Sequence, residues 1–149
     1  MIVRRFMPED FSSVLELEQE SFQDHNPFLY TEFYESNPDG FLVAELDGRV
    51  VGFAVGLITP EHEGWVFTLS VKSDFRRRGI GGMLLGALIE LFMQMKVPRV
   101  KLEVRVSNVT AQRLYSRFGF VASRLVPGYY ADAEDAIVMV KTLSPGPAV

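Results

Sequence analysis

The chain reads as a mixed α/β fold built on a central sheet, and three observations point there. Phe41–Leu46 and Val50–Ile58 are apolar runs separated by Asp47-Gly48, a pair suited to the tight turn that strand twist prefers, so they form a hairpin. Ile80, Met83, Leu84, Ala87, Leu88, Leu91, Phe92 and Met95 recur with a period near 3.6 residues, which makes 80–95 an amphipathic helix. Between the apolar run Trp65–Val71 and that helix lies Phe75-Arg76-Arg77-Arg78-Gly79-Ile80-Gly81-Gly82, a strand passing through a glycine-rich turn into a helix mouth.

The other elements follow in order. Ile2–Phe6 is a short strand. Pro8-Glu9-Asp10 opens a helix, with proline and acids in its first turn, and Phe11, Val14, Leu15 and Leu17 through to Phe22 form its buried face. Residues 23–40 are irregular, punctuated by Pro27, Pro38 and Gly40, with a short helix around Tyr30–Ser36. The polar loop Pro60–Gly64 precedes the strand Trp65–Val71, and Val97-Pro98 ends the long helix. Val100–Val106 is a strand. Asn108 caps a helix whose buried face is Ala111, Leu114, Tyr115 and Phe118, and Gly119 stops it. Phe120–Leu125 and Glu134–Leu143 are the last strands, and Ser144–Val149 reads as a loose tail. The order is β-α-(α)-β-β-β-α-β-α-β-β, with residues 1–143 expected to form a single domain.

Composition narrows the function. The 149 residues are long enough for a proper core, and 48% hydrophobic with 23% charged residues describes an ordinary soluble chain. A formal charge of -4 argues against a general nucleic-acid binder. The absence of cysteine excludes disulfides, thiolate metal sites and a covalent cysteine mechanism, and fits a reducing compartment. Met1–Pro8 has no apolar signal region, and Ile80–Met95 contains Glu90 and Gln94 and is shorter than the roughly 20 residues of a membrane span. The expectation is a cytoplasmic protein with no membrane or direct nucleic-acid partner.

The glycine segment has the makings of an anion site. A helix mouth carries unpaired N–H donors and the positive end of the helix dipole, glycine leaves those donors uncovered, and Arg76, Arg77 and Arg78 raise the local potential. A dinucleotide-binding fold would need repeated βαβ units, and a Walker loop would need a Gly-Lys-Ser/Thr ending; neither is present. A plain strand-to-helix connection stays open.

A second constellation decides the matter. Leu102-Glu103-Val104-Arg105-Val106-Ser107-Asn108 is followed by Ala111 and by Leu114-Tyr115-Ser116-Arg117-Phe118-Gly119-Phe120. Together with Val71 and Arg76-x-x-Gly79-x-Gly81, these residues resemble the GCN5-related N-acetyltransferase superfamily over roughly residues 2–142. Leu-Glu-Val-Arg with Asn108 and Ala-x-x-Leu-Tyr resembles its RimI type of ribosomal-protein acetyltransferase, and Tyr129–Ala136 is similar to the catalytic subunits of archaeal and eukaryotic N-terminal acetyltransferases. The resemblance implies a seven-stranded, mostly antiparallel sheet with flanking helices, acetyl-coenzyme A as cofactor and a protein or peptide N-terminus as acceptor, ribosomal proteins among the partners.

It also implies roles for single residues. The N–H groups of Arg77, Arg78, Gly79, Ile80, Gly81 and Gly82 would receive the pyrophosphate, beside Arg76. The pantetheine arm would pair like an extra strand with Leu69, Ser70 and Val71, between splayed strands, and the Leu69 N–H would polarise the thioester carbonyl. Glu103 is the expected general base, acting through a water; a surface glutamate paired with Arg105 or Lys101 is the alternative. Tyr115 is the expected general acid and a further cofactor contact, with a core tyrosine as the alternative. Asn108 is either a cofactor contact or a helix cap. Phe28, Tyr30, Tyr129 and Tyr130 are the candidates for acceptor binding.

Related N-terminal acetyltransferases use a glutamate in the first acceptor loop, where Asp24 and His25 stand, or a tyrosine base near position 65, where Trp65 stands. Neither His25 nor His62 has metal-ligand company. The reading is direct transfer to N-terminal α-amines. Lysine side chains, polyamines or other small amines are the alternative acceptors, with Asp132, Glu134 and Asp135 as the feature favouring a polyamine. A coenzyme A-binding sensor without catalysis is the other alternative.

Overall fold

A computed structural model describes residues 1–21 and 26–143 of the chain; Asp24, His25 and the tail 144–149 lie outside them. Seven strands, β1 (Ile2–Arg5), β2 (Phe41–Leu46), β3 (Arg49–Ile58), β4 (Gly64–Val71), β5 (Arg99–Arg105), β6 (Val121–Val126) and β7 (Ala136–Thr142), form one sheet in the order β1-β2-β3-β4-β5-β7-β6. Every neighbouring pair is antiparallel except β4 and β5. Four helices flank it: α1 (Phe11–Glu20), α2 (Phe28–Ser36), α3 (Ile80–Gln94) and α4 (Val109–Arg117).

Two cores lie on opposite faces. One gathers the apolar side of α3, Tyr115 of α4, and Val100, Leu102, Val104 and Met139 of β5 and β7. The other packs Val14 and Leu17 of α1 and Tyr30 and Phe33 of α2 against Phe41, Val43, Phe53 and Val55. Helices therefore cover β2 and β3 on both sides, which is why those strands read as near-continuous apolar runs. In β5, Val100, Leu102 and Val104 face the α3 core, so Lys101, Glu103 and Arg105 stand on the opposite face.

Most element limits agree with expectation to within two residues; the first helix departs further, since Pro8–Asp10 form a separate 3-10 turn and α1 begins at Phe11. β7 begins at Ala136 rather than at Glu134, because the two acids before it hold the preceding loop. Glu134 accepts from Arg105 and from the Ser107 N–H, and Asp135 accepts from the Gly128 N–H. Likewise α2 begins at Phe28, whose N–H is taken by the Asn26 side chain at 2.9 Å. Among the described residues no helix is long and apolar enough to cross a membrane.

Candidate active site

The parallel ladder between β4 and β5 covers only Gly64↔Val100 and Trp65↔Lys101. Beyond it, residues 66–71 and 102–105 do not pair with one another, and one edge of β4 is left open along Leu69, Ser70 and Val71. A register shift in the β3–β4 ladder falls between Val55 and Gly56, just before that edge. Strand pairing thus makes a cleft whose wall still offers main-chain hydrogen bonds to an extended ligand. Leu69 packs toward the α3 core, and the Ser70 hydroxyl lies 2.7 Å from that of Ser21.

The glycine turn closes one end of the cleft. Arg76 donates to the Val71 carbonyl at 3.2 Å, Arg77 takes a positive φ of 65°, and Gly79 caps α3 at φ 79°, a left-handed conformation that glycine adopts without strain. The first intrahelical bond at this end is Met83 N–H to Gly79 O, so the N–H groups of Ile80, Gly81 and Gly82 have no partner within the helix. No side chain caps them, and space is open around Gly79. A Cβ on Gly81 would meet Leu114 at 3.3 Å, so Gly81 also lets α4 pack close to this mouth. Arg78 lies over the Phe75 ring at 5.0 Å. The donors, arginines and open edge suit the diphosphate and amide-bearing arm of coenzyme A.

Glu103 stands on the open face of β5 near the end of the β4–β5 ladder. Its carboxylate accepts from the Trp65 indole N–H at 2.8 Å and lies 3.5 Å from the Tyr129 hydroxyl. The expected surface partners are engaged elsewhere: Lys101 sits over the Trp65 ring at 5.3 Å, and Arg105 reaches Asp132 and Glu134, both at 2.9 Å. Arg105 also lies 4.1 Å from the centre of the Tyr130 ring, so one guanidinium ties the β6–β7 loop to β5. Tyr129 and Tyr130 meet edge to face at 5.0 Å. Burial raises the pKa of both phenols, and the Glu103 charge adds to this.

Tyr115 projects from α4 beneath the loop. It is 8% exposed, its ring packs against Phe120, and burial pushes its phenol up to about 12, so it carries a proton at neutral pH. Its hydroxyl has no hydrogen-bond partner among the described residues and is not sealed from the surface. Asn108 is the helix cap, with its side-chain oxygen accepting from the Ala111 N–H. Phe28 is 76% exposed at the start of α2. Tyr30 is fully buried, packed on Phe53 and donating to Glu18 at 2.5 Å, which puts it in the wall behind the site rather than on its surface. His62 lies in the exposed β3–β4 turn. Two contacts escaped the sequence reading. Trp65 enters the sequence reading only as a residue unable to act as a base, and Arg105 as a motif residue and an alternative partner for Glu103; both make hydrogen bonds that sequence spacing does not reveal.

Comparison with known proteins agrees with this geometry. Residues 10–120 match the Acetyltransferase (GNAT) family. An N-acetyltransferase of Methanocaldococcus jannaschii is 42% identical over 95% of this chain and 91% of its own length. An N-alpha-acetyltransferase of Sulfurisphaera tokodaii is 31% identical over 95% of this chain and 92% of its own. The crystal structure of Ard1 from Thermoplasma volcanium superposes with a TM-score of 0.90 at 33% identity, covering 96% of this chain and 97% of that one. A cleft opened between β4 and β5, an uncapped glycine-lined helix mouth and relatives matched along nearly their whole length lead to one conclusion: the chain belongs to the GCN5-related N-acetyltransferase family and is an acetyl-coenzyme A-dependent N-acetyltransferase.

Proposed function

We propose that the protein acetylates the α-amino group of protein N-termini by direct attack in a ternary complex. The observation that carries this reading is the Glu103 carboxylate, oriented by Trp65 beside the β4–β5 cleft, with the tyrosines of the β6–β7 loop over it. The α-ammonium of the acceptor must lose a proton before its nitrogen can attack, and a carboxylate at this position takes that proton through a bridging water. Acetyl-coenzyme A supplies the acyl group, activated as a thioester. The Leu69 N–H stabilises charge on the carbonyl oxygen, a type of contact worth roughly 10²–10³ in rate. Tyr115, protonated by virtue of its burial, returns a proton to the departing sulfur as the N–C bond forms and the C–S bond breaks. No cysteine is present to form a thioester with the enzyme.

The polyamine alternative loses its support, since Asp132 and Glu134 are paired with Arg105 and Asp135 holds the Gly128 N–H. The similarity to N-alpha-acetyltransferases supports the α-amine reading. The test is transfer of labelled acetyl to peptides with a free α-amine and to α-blocked peptides bearing a free lysine. Acetylation confined to free α-amines, with intersecting double-reciprocal plots, is the expected result. Modification of blocked lysine peptides alone overturns the acceptor assignment, and parallel plots, the mark of a covalent enzyme intermediate, overturn direct attack.

A further inference from the structure

The core that α1 and α2 form on the face presenting Glu103 reaches only as far as β4 and draws no residue from β5, β7 or β6. There it forms a shallow groove of about 500 Å³ lined by Arg99, Lys101, Val121, Arg124, Val138 and Val140, with Glu63 at its edge. Glu63 is paired with Arg99. Lys101 and Arg124 have no carboxylate partner among the described residues, so the groove carries two uncompensated positive charges in a chain whose formal charge is -4.

The ladders relate these charges to the site. Lys101 lies two residues before Glu103 on the same face of β5, roughly 7 Å along the strand. Arg124 pairs with Val138, which pairs with Glu103, so Arg124 stands two strands across, roughly 10 Å away. Trp65 makes the two regions continuous, its N–H on Glu103 and its ring face under the Lys101 ammonium. Lys101 lies along β5 and Arg124 across the sheet, so an acceptor advancing about 3.3 Å per residue obliquely over the groove from Glu103 brings its third and fourth residues within side-chain reach of the two charges.

We infer that the groove is a downstream acceptor subsite selecting N-termini with acidic side chains at the third and fourth positions. The inference rests on the N-terminal acetyltransferase reading above. Val121, Val138 and Val140 floor the groove with apolar surface, so selection falls to Lys101 and Arg124. Both charges are partly solvated, so they act on acceptor affinity and are screened by salt.

The experiment compares three peptides with the same two first residues and Ala-Ala, Glu-Glu or Lys-Lys at positions three and four. The expected order of kcat/KM is Glu-Glu, Ala-Ala, Lys-Lys, spanning about tenfold and expressed in KM. The span collapses at about 1 M salt, where the Debye length is roughly 3 Å. Arg124→Glu narrows or inverts the order. Equal kcat/KM for three acetylated peptides, or a preference untouched by Arg124→Glu, overturns the subsite and leaves the enzymatic reading standing. Absence of α-amine acetylation on every peptide overturns both.

Discussion

In the mechanism we propose, Glu103 and Tyr115 divide the proton chemistry by their surroundings. Glu103 sits half-buried on the open face of β5, oriented by the Trp65 indole, while Tyr115 is enclosed in the core on the α3 side. Glu103→Gln keeps an oxygen for Trp65 but cannot take a proton. It should lower kcat by roughly 10²–10⁴ and leave the KM for acetyl-coenzyme A unchanged in steady-state assays. An unchanged kcat would remove Glu103 from the reaction. For Tyr115 the sign follows from burial, which penalises the phenolate and moves the pKa up to about 12. The acid form therefore persists through mildly alkaline solution, and kcat should show no loss between about pH 8 and pH 10 from this group. A descending limb near pH 9 that disappears in Tyr115→Phe would contradict this.

In the proposed reading the acceptor binds against the β6–β7 loop, and Arg105 ties that loop to β5. Its guanidinium pairs with Asp132 and Glu134 and lies on the Tyr130 ring, while the Ser107 N–H holds the second oxygen of Glu134. The loop closes further through Ala133 N–H to Tyr130 O and Tyr130 N–H to Glu134 O. Arg105→Leu leaves two carboxylates facing one another without their cation and frees the ring carrying the Tyr130 hydroxyl. Peptide KM should rise several-fold while the KM for acetyl-coenzyme A stays put, because the glycine turn lies on β4 and α3. A parallel rise in both constants would show that the loop supports the whole site.

The sheet is held on two faces by different helices, so its first strand needs its own tie to the helix that follows. Arg4 of β1 bonds Asp10 at 2.8 Å and Glu45 of β2 at 2.9 Å, and Asp10 also accepts from the Met7 N–H at 2.8 Å. Burial pushes the Asp10 carboxyl up, but the Arg4 and Met7 hydrogen bonds outweigh it, and its pKa lies below the ordinary value. A depressed folded pKa contributes stability above the unfolded pKa, near 3.9, that is lost as pH falls through the folded value. Asp10→Asn should therefore cost about 1–2 kcal/mol at pH 7 by chemical denaturation. The difference should shrink as the pH falls below the ordinary carboxyl value and through the lower folded one. A constant difference down to pH 2 would assign the effect to packing.

Local chemistry was enough to read much of this protein. Asp47-Gly48 marked the hairpin, the 3.6-residue period marked α3, Asn108 marked the cap of α4, and the Arg76-x-x-Gly79-x-Gly81 and Leu-Glu-Val-Arg strings marked the family. Each signal lies within a short span of chain, where spacing alone sets which groups meet. What sequence could not supply was the company each residue keeps. Trp65 and Glu103 are 38 residues apart and meet because β4 and β5 run parallel in one register. Tyr30 reads as a loop aromatic but belongs to the core, since α2 begins at Phe28 and turns that ring onto Phe53. The acids before β7 read as a possible cation groove but close a loop, because β5 brings Arg105 against them. Periodicity and turn chemistry are local and survive in the unfolded chain; strand register and ion pairing exist only once the sheet is assembled, and here they decide which carboxylates are tied into the β6–β7 loop.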